Sequence, residues 1–454
     1  MLGMMGSTYS HATDLLEVYR LAHCNDPTLD AAKETQLAAR ENTPQARANF
    51  LPVIAAESIN QINSNTLNNP NFNQTNNSGT PLSAIPTTSH FNQSFFLLSL
   101  KQPIPYYHEW VKYSKASNLV KAANATYAAA EQDLIVRVVI QYFEVLRAYD
   151  ALKFATANRK AYGKIFDQTQ EKFKAGLIPI TDSDLSKARR DSALAEEIEA
   201  ETNLLNQKEI LRQMTIVPIE HYSFLRADFP LRPPTPAVAE QWVSTALDQN
   251  NALLAARFDA AAARQDIKIN QGDHLPTIAV NAGTQDFTPS DRQSGGRNKY
   301  VNLQVNIPIF NGGAVTSKTR QAAHIYGKIQ KEAEVLCRET ESKTRQYYRG
   351  VVTQISQIKA YKQTIVSNNS ALKATETSFN VGTRTIVDVL NAQRDLTESN
   401  QKYADARYDY IIQSILLKQS AGTLTPCDVG HINAWLTESK GPSPSAKHAI
   451  DCCS

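Results

Sequence analysis

The sequence predicts a mixed α and β fold, mostly α, in which two structural repeats each supply strands and a hairpin of long antiparallel helices. Three observations carry that prediction. The chain of 454 residues writes one turn twice: Lys172-Phe173-Lys174-Ala175-Gly176 runs into Ile180-Thr181-Asp182, and 206 residues later Ser378-Phe379-Asn380-Val381-Gly382 runs into Ile386-Val387-Asp388. Long stretches poor in glycine and proline flank each turn, and segments that alternate apolar with polar residues precede them.

The duplication extends beyond the turn. Pro103 of Gln102-Pro103-Ile104 lies 73 residues before Gly176, and Pro308 of Ile307-Pro308-Ile309 lies 74 before Gly382, while Leu51-Pro52 and Leu275-Pro276 open the two halves. Pro52 to Pro103 is 51 residues and Pro276 to Pro308 is 32, so the first half carries the longer insertion. Two long repeats, 13–218 and 253–422, therefore account for the chain better than two or three ordinary domains or an array of short units.

Taken from the N-terminus, residues 1–12 lack a basic region and an apolar core, yet Ser10-His11-Ala12 has the small-x-small form of a secretory cleavage site; they are read as the remnant of a signal peptide. Cys24 follows the charged stretch from Asp14 to Arg20 and not an apolar segment, which argues against a lipid anchor. The strands of the first repeat are expected at 53–59 and 94–102, and the Asn-rich stretch 60–90, without Lys, Arg, Asp or Glu, reads as a long solvated loop. No glycine or proline interrupts Tyr106 to Tyr162, so a helix is expected over 106–175, with its return over 181–215. At a rise of ~1.5 Å per residue, the first would reach roughly 105 Å and needs lateral partners.

In the second repeat, Val301 to Ile307 alternates without a break, giving strands at 277–283 and 301–309 around a polar hairpin loop at 286–299. Helices follow at 314–380 and 385–420, with no proline between Pro308 and Pro426. On the last of these, Val389, Leu396, Tyr403, Tyr410 and Leu417 recur at sevens beside a small-residue seam of Ala392, Ser399 and Ala406, the pattern of coiled-coil packing. Between the repeats, Pro230 to Pro236 and a short helical stretch Val238–Gln249 break the long-helix pattern.

Composition excludes several function classes. The 47 basic and 44 acidic residues are interspersed, so no basic block marks a nucleic-acid surface and no nucleic-acid partner is expected. The five cysteines form no CxxC pair and no histidine has metal-ligand spacing, so no metal or cofactor is expected, and adjacent Cys452 and Cys453 are given no role. None of G-x-S-x-G, G-x-x-x-x-G-K, G-x-G-x-x-G or H-E-x-x-H occurs, which leaves no catalytic constellation. No run reaches the ~18 apolar residues of a membrane-spanning helix, so entry into a membrane would have to use strands. Four strands cannot close a barrel alone, and several copies of the chain would remove the open edges. The competing readings are a soluble sandwich of the apolar faces and a soluble periplasmic coiled-coil scaffold without a pore.

Gly382-Thr383-Arg384-Thr385-Ile386-Val387-Asp388-Val389-Leu390, Ala406-Arg407-Tyr408, Asn306-Ile307-Pro308-Ile309-Phe310-Asn311-Gly312-Gly313 and Asp273-His274-Leu275-Pro276-Thr277 resemble the TolC family of outer-membrane efflux proteins, over residues 13 to about 430. The resemblance implies a homotrimer in the outer membrane of a Gram-negative bacterium, with a 12-stranded barrel in the lipid continuous with an α-helical tunnel in the periplasm. It implies an equatorial belt, here 219–252 and 423–454, and places the cargo's exit under the control of a periplasmic adaptor with an inner-membrane pump or ABC translocase.

The same resemblance assigns the turns to the periplasmic gate. Asp388 would give one carboxylate per chain to a threefold constriction, although Thr385-x-x-Asp388 is also a helix N-terminal capping box, and both roles can coexist. The family's second carboxylate ring falls at Asn391, which is uncharged. Arg384 resembles the latch arginine that reaches Thr181 and Asp182 of the neighbouring chain. The family's latch tyrosine is Phe379 here and its glutamine partner is Glu171, so one hydrogen-bonded latch is missing or Glu171 has another partner. Ala175-Gly176-Leu177 and Val381-Gly382-Thr383 match the tips that meet the adaptor, while each glycine is also explained by the reversal of the chain.

Overall fold

The structure, a computed structural model, describes residues 13–67, 87–219, 221–289 and 295–437. The signal-peptide reading at 1–12, the middle of both expected loops and the Cys452-Cys453 pair lie outside the described residues. The chain forms α1 (Leu15–Asn25), α2 (Pro27–Arg40), α3 (Asn42–Ala48), β1 (Val53–Leu67), β2 (Thr87–Ile104), α4 (Tyr107–Lys174), α5 (Ile180–Thr215), α6 (Ala239–Gln249), α7 (Asn251–Gly272), β3 (Thr277–Pro289), β4 (Gly296–Asn306), α8 (Ala314–Asn380), α9 (Ile386–Ser420) and α10 (Pro426–Asn433). The long helices start and stop within a residue of the expected positions, because proline, glycine and capping residues set those limits locally.

The strands run further than expected. Residues 60–67 and 87–93 extend the first pair, and 284–289 with 296–300 extend the second. Their Asn, Gln, Ser and Thr side chains look loop-like in composition, but the backbone finds a continuous antiparallel partner, as in the pairs Asn60 with Ser94 and Asp286 with Arg297. β4 stops at Asn306 and not at 309, because its partner β3 begins at Thr277, opposite Asn306, and leaves no strand beyond it to pair with. Helices α1 to α3, α7 and α10 were not singled out by pattern, being short or lacking long uninterrupted periodicity.

The chain divides into two compact units that do not follow the sequence repeats. One comprises Met1–Leu37, Ala122–Arg257 and Lys331–Ser454; the other comprises Ala38–Lys121 and Phe258–Gln330. The second unit holds a single antiparallel sheet in the order β1-β2-β3-β4, so among the described residues β1 and β4 each keep one edge without a partner. The register puts Ile54, Leu100, Ala282 and Val301 in one row, flanked by rows with Val280 and Leu303 and with Ile278 and Val305. Val301, Leu303 and Val305 are exposed there. The opposite face carries Lys101, Asn281 and Asn302, with Asn281 Nδ2 donating to Asn302 Oδ1 at 3.1 Å. Around these rows one face is thus apolar and bare and the other polar, although Phe95, Leu97 and Phe287 share the second face further along the strands and Asp286 and Arg297 the first.

The first unit contains the helical core. While Asp133, Arg137, Gln141 and Glu144 lie on the more open face of α4, Leu134, Ile135, Val138, Val139, Tyr142, Phe143 and Leu146 bury one broad face of it in the same core as Ile411, Ile415 and Leu417 of α9. Each such side chain contributes about 1.5–3 kcal/mol by leaving water. The Tyr142 hydroxyl donates to the Ser223 carbonyl at 2.9 Å and accepts the Ser223 amide at 3.1 Å, so its burial strands no polar group. Asn433 of α10 donates to Asp14 at 2.9 Å and ties the start of α1 to the chain's last helix. Val389, Tyr410 and Leu417 of the seven-residue seam are buried, as are Ser399 and Ala406 of the small seam. Among the described residues, no helix is long and apolar enough to cross a membrane.

Candidate functional site

The duplicated turns have the same backbone. At the end of α4, Gly176 N–H donates to the Phe173 carbonyl and Leu177 N–H to the Lys172 carbonyl, both at 2.9 Å. At the end of α8, Gly382 N–H donates to Phe379 at 3.1 Å and Thr383 N–H to Ser378 at 2.9 Å. This double bond pattern needs a left-handed residue at its centre, and Gly176 (φ 72) and Gly382 (φ 79) supply it. Leu177, just after the first glycine, and Val381, just before the second, leave apolar surface in water: they are 72% and 71% exposed.

The turns meet through a residue that the sequence did not single out. Lys172 Nζ donates to Asn380 Oδ1 at 3.0 Å and sits 4.1 Å from the centre of the Phe379 ring. A cation over an aromatic face needs no hydroxyl, so the phenylalanine that lacks a latch hydrogen bond serves here as a π acceptor. The only sequence signal was the paired Phe173 and Phe379 of the two turns, with lysine beside the first copy. Glu171 has another partner: it accepts from Lys174, one turn on in the same helix, at 2.9 Å. Both groups are exposed, and such a pair contributes little. Glu171 and Phe379 are not brought together within the chain.

α9 starts with a complete capping box. Thr385 N–H and Thr385 Oγ1 donate to Asp388 Oδ2 at 3.0 and 2.9 Å, and the Asp388 amide donates back to Thr385 Oγ1 at 3.4 Å. The backbone hydrogen bond, the hydroxyl and the nearby Arg384 charge hold the Asp388 carboxyl below the usual carboxylate range. Arg384 Nη1 lies 4.0 Å from Asp388 Oδ1, on an exposed side chain. Within one chain Arg384 is not joined to Thr181 or Asp182; Thr181 is exposed and Asp182 half-buried in the first turn of α5.

Ile386, Val389 and Leu390 bury one face of α9 against Tyr162, Ile165, Ala193 and Leu372, with Phe379 packed alongside. Asp388 and Asn391, three apart, fall on the other face, both half-exposed. Among the described residues, the Asn391 side-chain amide makes no hydrogen bond. The site as built is a pair of stiff turns that carries a capped carboxylate, a neutral amide beside it, an arginine free of hydrogen bonds and two bare apolar tips. Nothing in it activates a nucleophile; it offers charge, polarity and contact surface.

A family model described as "Outer membrane efflux protein" matches residues 18–215 and 242–423. Outer membrane protein TolC of Vibrio cholerae is 34% identical over 435 residues, 94% of this chain and 95% of that protein. Alkaline protease secretion protein AprF of Pseudomonas aeruginosa is 29% identical over 458 residues, 97% of this chain and 91% of that protein. Among solved structures, the outer membrane protein VceC from Vibrio cholerae superposes with a TM-score of 0.74 at 17% identity, over 90% of this chain and 96% of that chain. At that identity the likeness concerns the fold.

Proposed function

This chain belongs to the outer membrane efflux protein family, and we propose that three copies of it form the exit duct of tripartite drug efflux or type I protein secretion systems. Its place is the outer membrane and its class is an efflux or secretion channel, as with the relatives it matches. The duct moves its cargo and leaves the cargo's chemistry unchanged.

The observation that carries the trimer is the open sheet. Four antiparallel strands of 11 to 18 residues bear a bare apolar face and two unpaired edges. Lipid satisfies no backbone amide or carbonyl, so such edges are stable there only when other strands complete the ring. Pairing β4 of one copy with β1 of the next, three times, gives a closed 12-stranded barrel with apolar residues outside and polar residues towards the pore. The described parts of the expected belt, 221–252 and 423–437, then form its equatorial segment, while 438–454 lie outside the described residues.

The paired turns form the periplasmic gate. Three Asp388 carboxylates near one axis attract cations, while Asn391 adds a polar ring without charge, which makes this gate less cation-selective than one with two acidic rings. Arg384 reaches Thr181 and Asp182 of the neighbouring copy and holds the entrance closed until an inner-membrane pump or translocase acts through a periplasmic adaptor. The exposed tips Ala175-Gly176-Leu177 and Val381-Gly382-Thr383 are the adaptor's contact, and Leu177 and Val381 supply its apolar part. Phe379, held under Lys172, and Glu171, paired with Lys174, leave the second latch unused.

The mass of the detergent-purified protein tests the assembly. Three chains per particle, lost when detergent is withdrawn, is the expected result; a water-soluble single chain would overturn it in favour of a scaffold.

A further inference from the structure

The two turns share one C-terminal stop but differ at the helix start that follows. Thr385 caps α9 and Pro179 occupies the same place before α5. Asp388 and Asp182 are equivalent, each six residues past its turn glycine and each in the first turn of its helix. Proline has neither an amide hydrogen nor a hydroxyl, so neither half of a capping box forms at Pro179. Asp388 Oδ2 receives two hydrogen bonds. Among the described residues, the Asp182 carboxylate receives none and pairs with no cation. Arg384 is 4.0 Å from its own Asp388, beyond hydrogen-bond distance, and among the described residues its five donors make no hydrogen bond.

We propose that Pro179 is a positioning residue of the gate: by denying Asp182 a capping role, it keeps that carboxylate available to Arg384 of the neighbouring copy. Asp388, already committed to its own helix, is the weaker competitor for the same arginine. The inference rests on the latch reading given above. It assigns the divergence of the two turns a cause at one backbone position, since a capped Asp182 would give up lone pairs that the latch needs.

The test is resting conductance in planar bilayers, with the trimer verified in detergent for each variant. P179T restores both halves of the box and raises resting conductance about three- to tenfold, the range expected from the strength of a helix cap. P179V restores the amide alone and gives a smaller rise. Because both act through Asp182, P179T/D182N conducts no more than D182N. R384S reports on the latch itself. If R384S opens the gate while P179T stays at the parent level, the positioning role of Pro179 is wrong and the latch stands; if R384S changes nothing, the latch reading fails and this inference with it. Should P179T not assemble, P179V decides alone, and a parent-level conductance overturns the proposal.

Discussion

Asp388 caps α9 with the same carboxylate that is proposed for the gate. Its carboxyl is held below the usual range by the Thr385 amide first, then by the Thr385 hydroxyl and the Arg384 charge. A lowered folded-state pKa contributes stability above the unfolded value, about 3.9, and loses it as pH falls through the folded value. Amide-exchange protection in the first turn of α9 is therefore expected to hold from neutral pH to about pH 4 and to fall below that. In Thr385→Val the protection at neutral pH is lower and its acid loss is smaller and complete at a higher pH, because the folded-state pKa moves back towards the unfolded value; an unchanged profile would show that the box contributes nothing. Asn391 offers the complementary change. Asn391→Asp places a second charge one turn from Asp388, and block by a trivalent cation is expected to strengthen by about tenfold or more, the equivalent of ~1.4 kcal/mol. Unchanged block would remove Asn391 from the pore. The capping box was legible in Thr385-x-x-Asp388 because its partners are three residues apart. Lys172 on Phe379 was not, because 207 positions separate them and only packing brings them together.

At the scale of elements, the two faces of the sheet predict opposite responses to the same charge. Leu303→Arg on the apolar face costs about 2–4 kcal/mol near the middle of a bilayer. Asn302→Arg, the next residue on the polar face, meets water. Outer-membrane yield of the assembled protein is expected to fall sharply for the first and to stay close to the parent for the second; equal yields would mean that the apolar face does not meet lipid. Alternation at Val301 to Ile307 made the existence of β4 readable, since side chains change face at every residue. The outer ends of the strands were not readable, because Asn, Ser and Thr there follow the composition of loops while the backbone follows its partner strand. The long helices were readable to within a residue, proline and glycine being local signals, whereas α1, α2 and α7 have breaks or lengths that pattern does not distinguish from irregular chain.

The whole molecule reuses one plan twice and then makes the copies unequal. Each compact unit draws on both halves of the sequence: the sheet takes two strands from each, and the helical core sets α4 of the first half against α9 of the second. The repeat in the sequence thus announced the fold class, but not which pieces pack with which. The unequal steps lie at the turns, where Pro179 stands against Thr385 and where, in the proposed gate, Asn391 stands in place of a second charge. The central claim is that three copies make a pore that is closed at rest by Arg384. The most direct test is single-channel conductance in planar lipid bilayers, measured side by side for the full chain and its Arg384→Ser variant. A long-lived, small conductance that rises several-fold in the variant is the predicted result; no current from either protein, or the same current from both, would contradict the account.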